Sequence, residues 1–177
     1  MRIVVITGSP HQSGTSALLA ERFCAGAKEA GHDVFRFDSA FQNVHPCIGC
    51  DNCGYGSSRC IYRDGMDQLN PFLLHAEVIV FITPLYFLGM SAQIKAVIDR
   101  FYANDIRLHD GRKAILMVTA WNPSRWAMNG VVAHYETLLH YMNWHDAGQL
   151  LAMSCNTRAE IERSNYPELA YEMGRSL

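Results

Sequence analysis

Residues 2–16 read Arg2-Ile-Val-Val-Ile-Thr7 and then Gly8-Ser9-Pro10-His11-Gln12-Ser13-Gly14-Thr15-Ser16, and this stretch decides the fold. The first six residues form an Ile/Val run of the kind shown by a strand buried on both faces. Gly8-Ser9-Pro10 is a turn signal, and a helical pattern begins within a few residues. Over 13–30 the apolar positions Leu18, Leu19, Phe23 and Ala27 repeat at helical spacing, with Gly31 as the stop. Strand, hydroxyl-rich turn and helix together bring free backbone N–H groups and the positive end of a helix dipole to one point, which attracts a phosphate. The Walker phosphate loop and the dinucleotide fingerprint G-x-G-x-x-G are both absent. With no lysine or acid present, the loop reads in one of two ways. It is a neutral cradle for a monophosphate, made by Ser9, His11, Ser13, Gly14, Thr15 and Ser16, or a plain turn with Ser13 as helix N-cap.

The same alternation continues along the chain. Strands are expected over 34–37, 78–83, 114–119 and, around Gly148, within 144–153. Helices are expected over 66–75, 91–102, 131–142 and 166–176, the last with Pro167 suited to its first turn. Strand–helix alternation with doubly buried strands implies a parallel sheet covered on both faces. Five strands suit the α/β flavodoxin-like order 2-1-3-4-5, in one domain spanning 1–177. Ligands bind such sheets at the carboxyl ends of the strands, near the switch point between the first and third.

Two further loops lie at such ends. Thr83-Pro84-Leu85-Tyr86-Phe87-Leu88-Gly89-Met90-Ser91 sets large apolar residues between a proline and a glycine, which suits either a flat aromatic ligand or a buried subunit interface. Thr119-Ala120-Trp121-Asn122 pairs an indole with an amide that both donates and accepts, or forms an ordinary surface turn.

Composition narrows the function. The chain has 177 residues, 49% apolar and 18% charged, with a net charge of −2. Disorder is excluded, and the basic footprint of a nucleic-acid binder is missing. The apolar run Ile3–Ile6 is far shorter than the roughly 7–15 residues of a signal-peptide core. No run reaches the roughly 18 residues of a membrane helix, so a soluble cytoplasmic protein is expected. The six cysteines then read as thiols or metal ligands rather than disulfides.

The motifs GSPHQSGTS, TPLYFLGMSAQIKAVIDRF and the closing LAYEMGRSL resemble the NAD(P)H-dependent FMN reductase branch of the flavodoxin-like superfamily. The resemblance implies non-covalent FMN. Its phosphate would lie on the first loop, its isoalloxazine against Pro84, Leu85, Tyr86, Phe87 and Gly89, and its pyrimidine side at Thr119, Ala120, Trp121 and Asn122. It also implies hydride transfer from NADH or NADPH and reduction of a small-molecule electron acceptor such as a quinone or flavin. Flavin carries that chemistry, so no side-chain acid or base is required and no catalytic residue is assigned. Apolar residues ringing the site suggest a homodimer.

Cys47, Cys50, Cys53 and Cys60 read C-x2-C-x2-C-x6-C, inside a long aperiodic segment of a kind that is usually functional. A zinc ribbon spaces its pairs farther apart, whereas ferredoxin-type clusters begin with this compact trio. The motif resembles that of iron-sulfur flavoproteins, which implies a [4Fe–4S] cluster. Zinc or redox thiols, or cysteines with neither role, remain the alternatives. The iron-sulfur resemblance carries a second function: an electron carrier fed by a ferredoxin-like donor.

Overall fold

β1 (Arg2–Thr7) pairs in parallel with β2 (Asp33–Asp38) on one side and β3 (Val78–Pro84) on the other. β4 (Lys113–Thr119) and β5 (His145–Ala152) extend the sheet beyond β3, giving the order β2-β1-β3-β4-β5. The computed structural model describes residues 1–109 and 111–177. Alternate strand residues feed two separate cores, as the two-residue period of a strand requires. Ile3, Val5, Val80 and Ile82 face α1 (Thr15–Glu29), α6 (Arg158–Glu162) and α7 (Tyr166–Arg175). Val4, Ile6, Ile79 and Phe81 face α2 (Met66–Leu73), α3 (Ala92–Asp99), α4 (Asp105–Leu108) and α5 (Asn129–Met142). All seven residues of β3 are buried, which explains its unbroken apolar run. No helix among the described residues is long and apolar enough to cross a membrane.

Every expected element is present, with instructive shifts. The first helix starts at Thr15 with Gly14 as its N-cap, so Ser13 is not the cap. The Gly14 N–H donates to the His11 carbonyl (3.2 Å), and this tight turn delays the helix and leaves Ser13 exposed. The helix expected over 91–102 is α-helical only to Asp99, then tightens into 3-10 geometry over Arg100–Asn104, where the Arg100 side chain is drawn inward. Helix α6 was not expected. Its capping box is legible in retrospect: Thr157 Oγ1 accepts from the Glu160 N–H, and the Glu160 carboxylate accepts from the Thr157 N–H. β5 has a register irregularity between Ala114 and Leu116 of β4, with Gly148 (φ 139°) on the bulged side.

Helices α1 and α7 cross almost backbone to backbone. A Cβ on Gly26 would collide with the Tyr171 carbonyl, and one on Gly174 with the Phe23 carbonyl. Both obstacles are main-chain atoms, so they cannot swing aside. Overpacking a tight core typically costs about 1–3 kcal/mol. Gly26→Ala is therefore expected to lower stability by at least that much in urea unfolding. An unchanged midpoint would mean that the helices separate freely.

Candidate functional site

Register aligns the carboxyl ends of β1, β3, β4 and β5, with Pro84 beside Thr119 and Thr119 beside Ala152. The loops that follow are stitched together by hydrogen bonds. Ser91 Oγ donates to the Gly8 carbonyl (2.7 Å), while the Ser91 N–H donates to Thr83 Oγ1 (3.0 Å). The Leu85 N–H donates to the Thr119 carbonyl (2.8 Å), and the Cys155 N–H to the Ala120 carbonyl (2.8 Å). Between these loops lies a cavity of about 500 Å³.

Its walls bring together Ser9, His11, Ser13, Gly14 and Thr15 from the first loop, Pro84, Leu85 and Tyr86 from the second, and Thr119, Ala120 and Trp121 from the third. Ser9 Oγ accepts from the His11 N–H (3.2 Å) and holds the turn shut. Thr15 Oγ1 donates to Thr119 Oγ1 (3.0 Å), and the buried Ser16 hydroxyl lies 2.8 Å from the same atom. Ser16 thus braces the loop from behind and does not line the cavity. Phe87, Gly89 and Asn122 are not wall residues either. The Asn122 side chain is engaged, accepting from the Ser124 N–H (2.8 Å).

The second loop is a two-residue hairpin. Tyr86 and Gly89 exchange backbone hydrogen bonds of 3.1 Å, so Phe87 and Leu88 occupy its turn at φ 47° and 69°. Positive φ at two consecutive bulky residues is strained. The geometry throws Phe87 fully into solvent (105% relative exposure), and Trp121 of the third loop is also exposed.

Sequence reasoning missed Cys155, Asn156 and Arg158, which also line the cavity. They follow the carboxyl end of β5, so the strand-end rule that identified the other loops could have found them. Arg158 bonds Glu162 (2.8 Å) and Glu21 (3.1 Å), which hold its guanidinium firmly protonated. Burial pushes the Cys155 thiol up, so it stays neutral.

The cysteine segment lies outside this cavity. Cys53 is buried, Cys60 half-buried, and Cys47 and Cys50 are exposed, all as free thiols. Burial pushes the Cys53 thiol pKa up, so it stays neutral. Among the described residues, no group of three or more His, Cys, Asp or Glu is arranged to hold a metal ion. The segment is anchored at Asp64, whose carboxyl is fully buried. It accepts from Arg100 (2.7 and 3.3 Å) and from the N–H groups of His45 and Met66 (3.0 Å each). Burial alone would raise the Asp64 pKa, but these donors outweigh it and hold the carboxyl below its usual range.

The family described as NADPH-dependent FMN reductase matches residues 1–157. An iron-sulfur flavoprotein of Archaeoglobus fulgidus is 39% identical over 98 residues, 55% of this chain and 49% of the relative. A putative NAD(P)H-dependent FMN-containing oxidoreductase of Bacillus subtilis is 24% identical over 162 residues, 85% of this chain and 84% of the relative. In solved structures, the fold is similar to an NAD(P)H:quinone oxidoreductase from Methanothermobacter marburgensis, with TM-score 0.73 at 16% identity, covering 98% and 94% of the two chains. The chain spans about half the length of the iron-sulfur flavoproteins it matches.

Breaking a buried ion pair by removing one partner costs about 3–5 kcal/mol. Asp64→Asn is expected to lower stability at pH 7 by about that amount. Because the folded carboxyl pKa is depressed, its contribution is present above the unfolded carboxylate value of about 3.9 and is lost as pH falls below it. Urea midpoints from pH 7 to pH 3 check this. The wild-type curve should fall more steeply than that of Asp64→Asn, and parallel curves would remove the assigned role.

Proposed function

Because the chain belongs to the NADPH-dependent FMN reductase family, we propose that the cavity between the first three loops holds FMN non-covalently. We propose further that the protein is an oxidoreductase drawing hydride from NADH or NADPH. The observation that carries this reading is the convergence, in one cavity, of a hydroxyl-lined helix N-terminus with Tyr86 and Trp121. The donor set fits the cofactor. Ser9, Ser13, Thr15 and the first amides of α1 suit a phosphate, and the protonated Arg158 supplies a cation that the first loop lacks. Bound there, FMN would supply hydride acceptance from the nucleotide and donation to a quinone, flavin or similar flat acceptor.

The protein's own residues bind and shape. The Thr15–Thr119–Ser16 hydroxyl network ties the phosphate loop to the pyrimidine-side loop, so a ligand spanning both meets a fixed distance. Pro84, Leu85 and Tyr86 give an apolar wall that excludes water from one side of a flat ring. Phe87 and Leu88, at the tip of the hairpin that carries Tyr86, and Trp121 of the cavity wall expose apolar surface, which supports a homodimer that covers it. Free thiols throughout the chain support a reducing, cytoplasmic setting.

A second reading rests on the C-x2-C-x2-C-x6-C spacing of Cys47, Cys50, Cys53 and Cys60 and on the relatives named iron-sulfur flavoproteins. Thiolates bind iron only when deprotonated, and the metal itself drives that step. A [4Fe–4S] cluster on these four would make the protein an electron carrier, fed by a ferredoxin-like donor. Iron and sulfide analysis after anaerobic reconstitution decides it. Less than one iron per chain with FMN still bound would leave the plain reductase.

Hydrogen bonds to a charged group contribute about 1.5–3 kcal/mol each. Ser13→Ala combined with Thr15→Ala is expected to weaken FMN at least tenfold while changing riboflavin affinity much less, as read by flavin fluorescence titration. Equal losses would move the phosphate elsewhere. Anaerobic stopped-flow mixing of the FMN-loaded protein with NADH and NADPH should bleach the flavin. No bleaching by either nucleotide would remove the reductase assignment.

A further inference from the structure

A second cavity, of about 590 Å³, opens between the cysteine segment, α2 and the 3-10 turns that follow α3, and shares no wall residue with the flavin cavity. Its volume falls in the range of small-molecule sites. Its charge is out of keeping with the chain, which is net negative. Arg59, Arg63, Arg100 and Arg107 line it, and among the described residues Asp67 is the only acid in its walls.

Among the described residues, only Arg100 of these four has a carboxylate partner, the buried Asp64. The Arg63 guanidinium donates to the Cys60 carbonyl (3.1 Å), and that of Arg107 to Asn104 Oδ1. Arg59 has no side-chain partner among the described residues, and all three are exposed. Three exposed arginines around one concavity with one acid among the described walls give a local positive potential that attracts an anion. Asn104 Nδ2 in turn donates to Asn70 Oδ1 (2.9 Å), so Arg107 rests on a braced amide pair and is aimed rather than free. Arg100 is 3% exposed, and its Nε–H is a buried donor with no acceptor.

The remaining walls are of a different kind. Tyr62, Met66, Pro71 and Leu74 add aromatic and aliphatic surface. Tyr62 is held in place by stacking on His45 (4.7 Å between ring centres) and by the Arg100 guanidinium 5.2 Å from its ring centre. A rim of planar cationic forks over a partly apolar wall suits an organic body carrying anionic oxygens. Guanidinium forks match phosphate geometry bidentately.

We propose that this cavity binds a phosphate-bearing organic anion, with Arg59, Arg63 and Arg107 as its cationic contacts and the Tyr62 side of the cavity receiving the organic part. The site is separate from the flavin cavity and adjoins the cysteine segment through Cys60.

The test is calorimetric titration of the FMN-loaded protein, whose own phosphate site is already filled, with inorganic pyrophosphate and with ADP. Saturable binding of one ligand per chain is expected, with ADP the tighter of the two because it also covers the apolar wall. Arg63→Gln combined with Arg107→Gln should weaken both ligands at least tenfold and leave FMN content unchanged. Lys113→Gln, which removes a charge outside the cavity, should leave both affinities unchanged. Absence of saturable binding by either ligand overturns the proposal, as does equal weakening by Lys113→Gln. It also falls if the arginine variants bind both ligands normally but lose iron on anaerobic reconstitution, because the arginines would then balance thiolate charge.

Discussion

The Ser91 hydroxyl holds together the two halves of the cavity at the carboxyl ends of the strands. It reaches from the start of α3 to the carbonyl of Gly8, at the carboxyl end of the neighbouring strand, while capping its own helix at Ile94. Its backbone N–H is taken by Thr83, and Thr83 in turn bonds the Pro84 carbonyl (2.9 Å). All of these groups are buried, so each unmade bond would cost the desolvation of a polar group, about 1–3 kcal/mol. The crossing allows no side chain at residue 8, where a Cβ would run into Ser91 itself. A glycine after β1 and a serine before α3 are therefore one device. They fix the spacing between the loop that suits a phosphate and the loop that suits a ring.

The cysteine segment is governed by a different balance. It runs from the end of β2 to α2 with only two short 3-10 turns, and cannot hold itself by local periodicity. Its fixed point is the buried Asp64–Arg100 ion pair. Such a pair gains little net stability over an apolar substitute but is costly to half-remove. Asp64 offsets the penalty by collecting two backbone N–H groups in addition to Arg100, and Arg100 by donating to the His45 carbonyl (2.8 Å). The pair thus closes the segment on both flanks of the cysteines. A second tie, from the Tyr102 hydroxyl to Asp51 (2.6 Å), pins the middle of the loop to the same 3-10 turns.

Legibility in the sequence followed the range of the forces involved. The central strands were readable because a doubly buried strand is apolar along its length, as VIVFI is before Thr83. The wall residues of the three loops were readable because the topology dictates where loops gather. What was hidden depends on contacts between distant segments. Ser16 looks like a ligand in a hydroxyl-rich loop, yet its oxygen is taken by Thr119, 103 residues away. Arg158 reaches the cavity from a helix too short to show a period. The arginine-lined cavity draws on residues 56–63, 66–74 and 100–107, and only their packing shows that charges scattered in the chain share one concavity.

The hairpin of the second loop shows how the site keeps its shape. Left-handed backbone costs roughly 1–2 kcal/mol for a residue with a Cβ, and Phe87 and Leu88 both adopt it. Neither residue can repay that through burial of its own side chain, since both are exposed. The repayment comes from the neighbours. The Tyr86–Gly89 pair closes the turn, the Thr119 carbonyl holds Leu85, and Gly130, at the start of α5, leaves room for the Leu88 carbonyl where a Cβ would press against it. A turn strained at its tip and fastened at its base is set before any ligand arrives. On the proposed reading, a flat ring entering beside Tyr86 would meet a wall already shaped, and little of its binding free energy would go into ordering the loop.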